Sequence, residues 1–156
     1  MYPPAKDIAD ILSPLPIVQG GMGVGISMSG LASAVAEQGG IGVISAAMPG
    51  IQEPDIVRNS QEANIRVLRR EIRKARQKTG GVIGVNVMVA LTNFEDMVQT
   101  SAAEGADVIF AGAGLPRDQQ VAGVVEPPAG NELVHKTAHQ PPAGRAVEVL
   151  HASARD

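Results

Sequence analysis

Cysteine and tryptophan are absent from this chain, and aromatic residues make up only 2% of its 156 residues. Without cysteine there is no disulfide, no thiolate metal site and no cysteine nucleophile. The core must therefore be built from Val, Ile, Leu, Met and Ala, which fits a hydrophobic content of 44%. No apolar run reaches the length of about 18 residues that a membrane span needs, and no secretion signal is evident. The sequence predicts a soluble, cytoplasmic protein with no membrane partner.

A strong excess of positive charge is also missing, because the net charge is −3. One predicted helix, residues 62–78, nevertheless surrounds an apolar stripe of Ile65, Leu68, Ile72 and Ala75 with arginines and lysines. Such a helix is either a nucleic-acid-binding face or the solvated outer face of an α/β fold. The acidic overall charge and the lack of interleaved aromatics favour the solvated face, so we expect no nucleic-acid partner.

Residues 16–46 have the pattern of a strand, a turn, a helix and a second strand. An apolar run at residues 16–19 predicts a buried strand, and another at residues 41–46 predicts a neighbouring one. The small residues 31–38 between them predict a helix, and Ser29 is placed to cap it. The first loop of such a βαβ unit opens onto the edge of the sheet where α/β folds bind ligands.

A glycine-dense turn joins the first of these strands to the helix. Gly20 and Gly21 lack Cβ atoms, so the backbone can turn sharply and lie against a flat ligand. The dinucleotide-binding fingerprint G-x-G-x-x-G is not met, because Ile26 occupies the third glycine position. The spacing leaves two interpretations open, a ligand-binding loop and a tight turn that binds nothing.

A second pair of strands is predicted further along the chain. Residues 82–89 are nearly all apolar, as in a parallel strand covered on both faces, except for Asn86. A buried amide needs hydrogen-bond partners, so Asn86 is either a structural amide or a side chain aimed at a ligand. A helix over residues 93–104 and a strand over residues 107–111 follow, and Gly112 begins another glycine turn. The two glycine turns predict closely approached backbone at one end of the sheet.

Residues 47–60 predict a loop, because Pro49, Gly50 and Pro54 interrupt any regular pattern. A connection from a strand to a helix is commonly about 2–6 residues long, so this one is unusually extended. It is either a lid over a site or a surface insertion, and the second is favoured.

Three segments carry a resemblance to a known family. They are PIVQGGMGVGISMSGLASAVAEQGGIGVISAA from residue 16, GVIGVNVMV from residue 81 and GADVIFAGAGLP from residue 105. In this order they are similar to the nitronate monooxygenases, also called 2-nitropropane dioxygenases, and a little less similar to the FMN-dependent enoyl-acyl-carrier-protein reductases. The resemblance covers about residues 11–116. It implies an α/β fold of the (β/α)8 TIM-barrel type, with about the first four βα units in residues 1–116.

The resemblance also implies an oxidoreductase that binds FMN and a small-molecule substrate. The implied cofactor-binding residues are Gly20, Gly21, Met22, Asn86 and Gly112, which would contact the isoalloxazine ring. In such enzymes a base takes the α-proton of an alkyl nitronate or nitroalkane, and flavin and dioxygen then give a carbonyl compound and nitrite. The family's base is a histidine in a later glycine-rich loop. No histidine of this chain has that context, so no catalytic residue is assigned.

Two alternatives remain beside nitronate oxidation. A flavin-dependent enoyl-thioester reductase would require a nicotinamide donor and an acyl-carrier partner. A non-catalytic half-barrel would fold only by pairing, and open edges at the first and fourth strands would allow self-association. A complete barrel needs about 250 residues, so we expect this chain to be incomplete and inactive alone.

The segment from residue 117 to residue 156 differs in character from the rest. It is rich in proline, and we expect it to be disordered or the product of a frameshift near Arg117. Residues 143–150 vaguely resemble the helix that follows the fifth strand of the family. His135 and His139 have the spacing of a metal pair, but no acidic residue lies between them and two prolines follow, so no metal site is predicted.

Overall fold

Helices and strands alternate along the part of the chain that the computed structural model describes, residues 14–15, 17–113, 134–135 and 148–151. In chain order the elements are α1 (Ser29–Glu37), β1 (Gly42–Ser45), α2 (Ser60–Lys78), β2 (Ile83–Met88), α3 (Phe94–Ala103), β3 (Val108–Gly112), β4 (Val134–His135) and β5 (Glu148–His151). The strands form one sheet in the order β1-β2-β3-β5-β4. All neighbouring strands are parallel except β4 and β5. The predicted α/β alternation is confirmed, and closure into a barrel stays a prediction.

The helices pack against one face of the sheet. Alternate residues of β2, Ile83, Val85 and Val87, lie in one buried cluster with Leu68 and Ile72 of α2. Each of these five side chains is fully buried. Burial of one such side chain contributes about 1.5–3 kcal/mol, so this layer supplies much of the stability. The predicted apolar stripe of α2 is confirmed. Within the described residues, no helix has both the length and the hydrophobicity needed to cross a bilayer.

The opposite face of the sheet carries a smaller apolar cluster. Ile41, Val43 and Val108 are buried there, with Val82 and Phe110 packed against them. Side chains alternate between the faces of a strand, so Val43, Val108 and Phe110 share a face that the helices do not cover. This uncovered face extends to the carboxyl ends of the strands.

The apolar run at residues 17–19 forms much less of a strand than predicted. It pairs with the start of β1 through a single bridge between Val18 and Ile41. Ile17 is 58% exposed and Val18 is 43% exposed, so the prediction of a buried strand is wrong. The physical reason is position, since in the described part of the chain this run lies at the edge of the sheet beside β1.

Part of the late segment is a strand. β5 pairs in parallel with β3, with Glu148 opposite Val108 and His151 opposite Ala111. The expected helical character of residues 143–150 is therefore wrong for residues 148–150, where pairing satisfies the backbone groups of β3 instead. The expected disorder or frameshift of residues 117–156 otherwise falls on residues outside the described ranges, as does His139.

Not all cations of α2 lie on a solvated face. The guanidinium of Arg76 is only 18% exposed and donates hydrogen bonds to the carbonyls of Gly81 and Gly105 and to the carboxylate of Asp107. The same carboxylate oxygen of Asp107 accepts the backbone N–H of Ile83 at 2.8 Å. Arg76 thus ties the end of α2 to the amino ends of β2 and β3, a structural role that the predicted solvated face did not include.

The loop between β1 and α2 is anchored to α2. Arg66 contacts Glu53 at 3.1 Å and Asp55 at 2.7 Å, and Asn64 accepts the backbone N–H of Gly50 at 2.9 Å. Exposed ion pairs contribute little by themselves, about 0–1 kcal/mol each, but the buried bond from Gly50 fixes the path of the backbone. These contacts support the interpretation as a surface insertion rather than a lid.

The amino end of α1 is capped by a residue from another helix. Met28 precedes the helix, and Ser29 lies inside its first turn rather than capping it. The Glu71 carboxylate accepts the Ser29 N–H at 3.2 Å and the Ser29 hydroxyl at 2.6 Å, and Lys74 contacts it at 2.9 Å. Burial opposes ionisation of Glu71, but the hydrogen bonds from Ser29 and Lys74 outweigh it. The pKa of Glu71 is therefore lowered from its ordinary value of 4.5.

The lowered pKa predicts a pH-dependent contribution of Glu71 to stability. Because the folded protein favours the ionised carboxylate, the contribution is present above the unfolded pKa and is lost as pH falls through the folded one. We expect Glu71→Gln to reduce the free energy of unfolding by about 1–2 kcal/mol at pH 7, since the charge sits at a helix amino end. Denaturant unfolding at pH 7 and pH 3 measures the difference.

The matched control is Glu62→Gln, on the exposed first turn of the same helix. Glu62 also lies at a helix amino end, but water screens its charge, so the variant should lose less than about 1 kcal/mol at pH 7 and less still at pH 3. An equal loss for Glu71→Gln at pH 3 and pH 7 would contradict the assignment.

Candidate functional site

β1, β2 and β3 end side by side, and their carboxyl ends form one edge of the sheet. The register places Ser45 of β1 opposite Asn86 of β2, and Asn86 opposite Phe110 of β3. By strand alternation these three side chains form a row on the face that the helices leave uncovered. One step further along, Met88 lies opposite Gly112. The face that the helices leave uncovered is therefore apolar near the amino ends of the strands and more polar near their carboxyl ends.

The glycine turn lies directly on this row. A Cβ atom added to Gly21 would lie 2.7 Å from the Cβ of Asn86 and 3.3 Å from a methyl carbon of Val43. Such distances leave no room for a side chain, so Gly21 is required by contact. Among the residues that the structure describes, a Cβ added to Gly20 would meet nothing within 4 Å. Gly21 and Asn86, two of the predicted site residues, are thus in direct contact.

The remaining predicted site residues border open space. The Met22 side chain is 59% exposed. Gly112 ends β3 beside Met88, and a Cβ added to it would meet no atom of the described residues within 4 Å. The predicted residues therefore collect at one edge of the sheet, where Gly20, Met22 and Gly112 leave accessible surface around the contact of Gly21 with Asn86.

The side chain of Asn86 has one structural bond and one open acceptor. Its Nδ2 donates to the carbonyl of Phe110 at 3.3 Å, which fixes the orientation of the amide. Within the described residues no donor reaches its Oδ1, and the residue is only partly buried. Both interpretations of Asn86 stay open, since the amide bonds to the next strand while its Oδ1 has no donor among the described residues.

Two polar residues that the sequence interpretation missed hold the glycine turn. Ser27 is fully buried, and its hydroxyl accepts the Met22 N–H at 2.9 Å and donates to the Gly20 carbonyl at 3.3 Å. Gln19 donates to the Ser27 hydroxyl at 3.1 Å. The available signal was a polar residue closing an apolar run and a serine following the glycines, each of which needs a partner when buried.

Left-handed backbone is concentrated at this same edge. Val24 has φ of 50°, Met48 of 51° and Ala113 of 58°, and each follows a strand or strand-like segment. Left-handed φ is a genuine outlier for a β-branched residue such as Val24. The N–H of Val24 donates to the carbonyl of Ala47 at 2.9 Å, which holds the glycine turn to the loop after β1. Strain of this kind clusters at functional sites.

Known proteins resemble this chain in both sequence and fold. The family model described as nitronate monooxygenase matches residues 4–152. The chain belongs to the nitronate monooxygenase family. The match extends past residue 116, so the expectation that the resemblance ends there is wrong. The predicted family and its oxidoreductase class are confirmed.

Solved structures give the same fold. FabK from Thermotoga maritima is 33% identical with a TM-score of 0.53, over 69% of this chain and 30% of that one. Its M276A mutant is 31% identical with a TM-score of 0.55, over 70% and 32%. Nitroalkane oxidase from Streptomyces ansochromogenes, at 24% identity, a TM-score of 0.50 and coverage of 71% and 37%, supports the fold alone. The chain spans about a third of the length of these proteins. No curated protein sequence matches it.

In this nitronate monooxygenase family member, the amino end of α1 is closed to phosphate. Helix amino ends after glycine turns commonly bind phosphate groups. Here the carboxylate of Glu71 occupies that position through its bonds to Ser29. A second anion would meet a negative charge at the amino end of α1.

The contact of Gly21 with Asn86 predicts a sharp difference between two neighbouring glycines. We expect Gly21→Ala to destabilise the protein by about 1–3 kcal/mol, because the added methyl overpacks against Asn86 and Val43. Gly20→Ala adds the same methyl one residue earlier into open space and serves as the control, with a change below about 0.5 kcal/mol. Thermal and denaturant unfolding of both variants check this. Equal losses would show that Gly21 does not lie against Asn86.

Proposed function

We propose that this chain forms the ring-side wall of an FMN pocket in a (β/α)8 TIM barrel, of which it supplies about the first four βα units. The observation that carries the proposal is the row at the carboxyl ends of the strands, where Gly21 lies against Asn86 and Gly112 borders open space. Ligands of α/β barrels bind at this end, and membership of a flavoenzyme family supports the choice of ligand.

The residues present fit the ring of a flavin better than its phosphate. Gly20, Gly21 and Gly112 allow the backbone to approach a flat group closely, and the open Oδ1 of Asn86 accepts a hydrogen bond from an N–H of such a group. The Glu71 carboxylate closes the helix amino end that a phosphate would use. We therefore assign only the flavin ring, and not the phosphate, to the described part of the chain.

The proposed reaction is oxidation of alkyl nitronates or nitroalkanes with dioxygen to a carbonyl compound and nitrite. Flavin, when bound, supplies the electron transfer. The part proposed for this chain is to orient the ring: the backbone at Gly21 would lie beside it, and the Oδ1 of Asn86 would accept one hydrogen bond from it. His135 lies in β4 and His151 ends β5, so neither lies in a glycine-rich loop, and no proton-accepting base is assigned to the described residues.

A flavin-dependent enoyl-thioester reductase is the second candidate. The observation that favours it is the higher identity to FabK, 33%, compared with 24% to nitroalkane oxidase. With a flavin-loaded preparation, nitrite release from a nitronate would support the first candidate. Oxidation of NADH in the presence of crotonyl thioester would support the second.

Weak flavin binding that ignores the phosphate is the central expectation. We expect FMN and riboflavin to bind this chain with similar dissociation constants, between about 10 µM and 1 mM, because only the ring is contacted. Titration followed by flavin fluorescence measures both values. A dissociation constant for FMN in the low micromolar range or tighter, with riboflavin much weaker, would contradict a purely ring-side wall. Absence of any change in flavin fluorescence up to millimolar FMN would contradict the proposed function itself.

Asn86→Ala separates a flavin contact from a structural amide. We expect it to weaken FMN binding by about 1–3 kcal/mol, the loss of a buried partner, while stability without flavin changes less. Asn64→Ala is the matched control, because Asn64 is a buried amide that accepts the N–H of Gly50 and belongs to α2, which packs on the face of the sheet opposite the row. That variant should lose stability and keep its FMN affinity. The reverse pattern in Asn86→Ala would remove Asn86 from the site.

A further inference from the structure

We propose that Ser27 and Gln19 are positioning residues for the flavin ring, which hold the backbone of Gly20 to Met22 at its contact with Asn86. The inference rests on the proposed function, and it concerns two side chains that do not themselves face the open edge. Their polar groups are turned into the protein, where Ser27 is fully buried and Gln19 is partly buried.

The Ser27 hydroxyl is the centre of the glycine turn. It accepts the N–H of Met22 and the Nε2–H of Gln19, and it donates to the carbonyl of Gly20. One donor and two acceptor positions are what a hydroxyl has, so all of its capacity is used within the turn. The backbone N–H of Ser27 also donates to the carbonyl of Met22 at 3.0 Å. Both ends of the Gly20–Met22 segment are therefore fixed by this one residue.

Gln19 connects that turn to the sheet. Its Oε1 accepts the N–H of Val43 at 3.1 Å, and its Nε2 lies 3.2 Å from the Val43 carbonyl. These are the two backbone groups of β1 that a neighbouring strand would otherwise satisfy. The amide of Gln19 thus replaces strand backbone at the point where the chain leaves the edge of the sheet and enters the turn.

Ser27 and Gln19 set the distance between the glycine turn and the row that contains Asn86. A Cβ on Gly21 would already lie 2.7 Å from the Cβ of Asn86, so there is no slack on that side. On the other side, the bonds through Ser27 and Gln19 prevent the turn from lifting away. Binding sites need their groups held to within about 0.5 Å, and a glycine turn has no side chains of its own to supply that restraint.

Ser27→Ala and Gln19→Met remove the restraint without adding bulk. The matched control is Ser101→Ala, which deletes the hydroxyl of another fully buried serine, bonded to the Met97 carbonyl in α3. The first readout is amide hydrogen exchange at Met22 in the chain without flavin. We expect exchange about tenfold faster in Ser27→Ala, because this N–H loses its acceptor, and no change at Met22 in Ser101→Ala.

The second readout is FMN affinity and the visible absorption spectrum of the bound flavin. We expect FMN affinity to be about 5–10-fold weaker in Ser27→Ala and in Gln19→Met, which are the two loop variants, and the spectrum of their bound flavin to be closer to that of free FMN. Ser101→Ala should keep the wild-type affinity and spectrum. If the role of Ser27 were only structural, Ser27→Ala would lower stability as Ser101→Ala does, and the flavin spectrum would not change. If Ser27→Ala fails to fold, Gln19→Met alone decides, since its side chain lies only partly inside the protein.

The outcomes separate this proposal from the one beneath it. Unchanged Met22 exchange with unchanged FMN affinity in the loop variants would overturn the positioning role, while flavin binding by the wild-type chain would still stand. Faster exchange in the loop variants, together with no flavin binding by the wild-type chain, would overturn the proposed function and with it the purpose assigned to the turn. Faster exchange with weaker, spectrally altered FMN binding supports both.

Discussion

The contact between Gly21 and Asn86 is the constraint on which the rest of the site depends. It joins a turn at the edge of the sheet to the middle of a buried strand, and it leaves no space for a side chain at residue 21. Parallel pairing of β1, β2 and β3 fixes where Asn86 stands, and the bonds of Ser27 fix where the turn stands. The open edge between Gly20 and Gly112 is what remains when both conditions are met.

Polar side chains serve different purposes at the two ends of the sheet. At the amino ends of the strands, Arg76 and Asp107 satisfy each other and the neighbouring backbone, which closes that end. At the carboxyl ends, Asn86 keeps one acceptor free of protein partners in the described part of the chain. Left-handed backbone also collects there. In α/β barrels generally, the amino ends of the strands serve stability and the carboxyl ends bind ligands.

Periodicity in the sequence was sufficient to predict the central elements. The stripe of Leu68 and Ile72 and the apolar run around Asn86 depend on residues close together in the chain, and both were predicted correctly. Residues 17–19 looked equally apolar, but their exposure depends on what covers the edge of the sheet, which local pattern does not contain. The partners that define Ser29 and Gln19 lie 42 and 24 residues away along the chain. Such distant pairings leave no periodic signal, so Gln19 and Glu71 were missed. Ser27 was missed although its partners lie only 5 to 8 residues away, because the turn that it holds has no periodic pattern.

The contact of Glu71 with the amino end of α1 has a consequence for folding while the chain is being synthesised. Chains emerge from the ribosome at about 5–20 residues per second, so Glu71 follows Ser29 by about 2–8 s. Throughout that interval the first helix lacks the acceptor that its amino end uses in the finished fold. The amino end of α1 therefore gains this acceptor only after much of α2 has been synthesised.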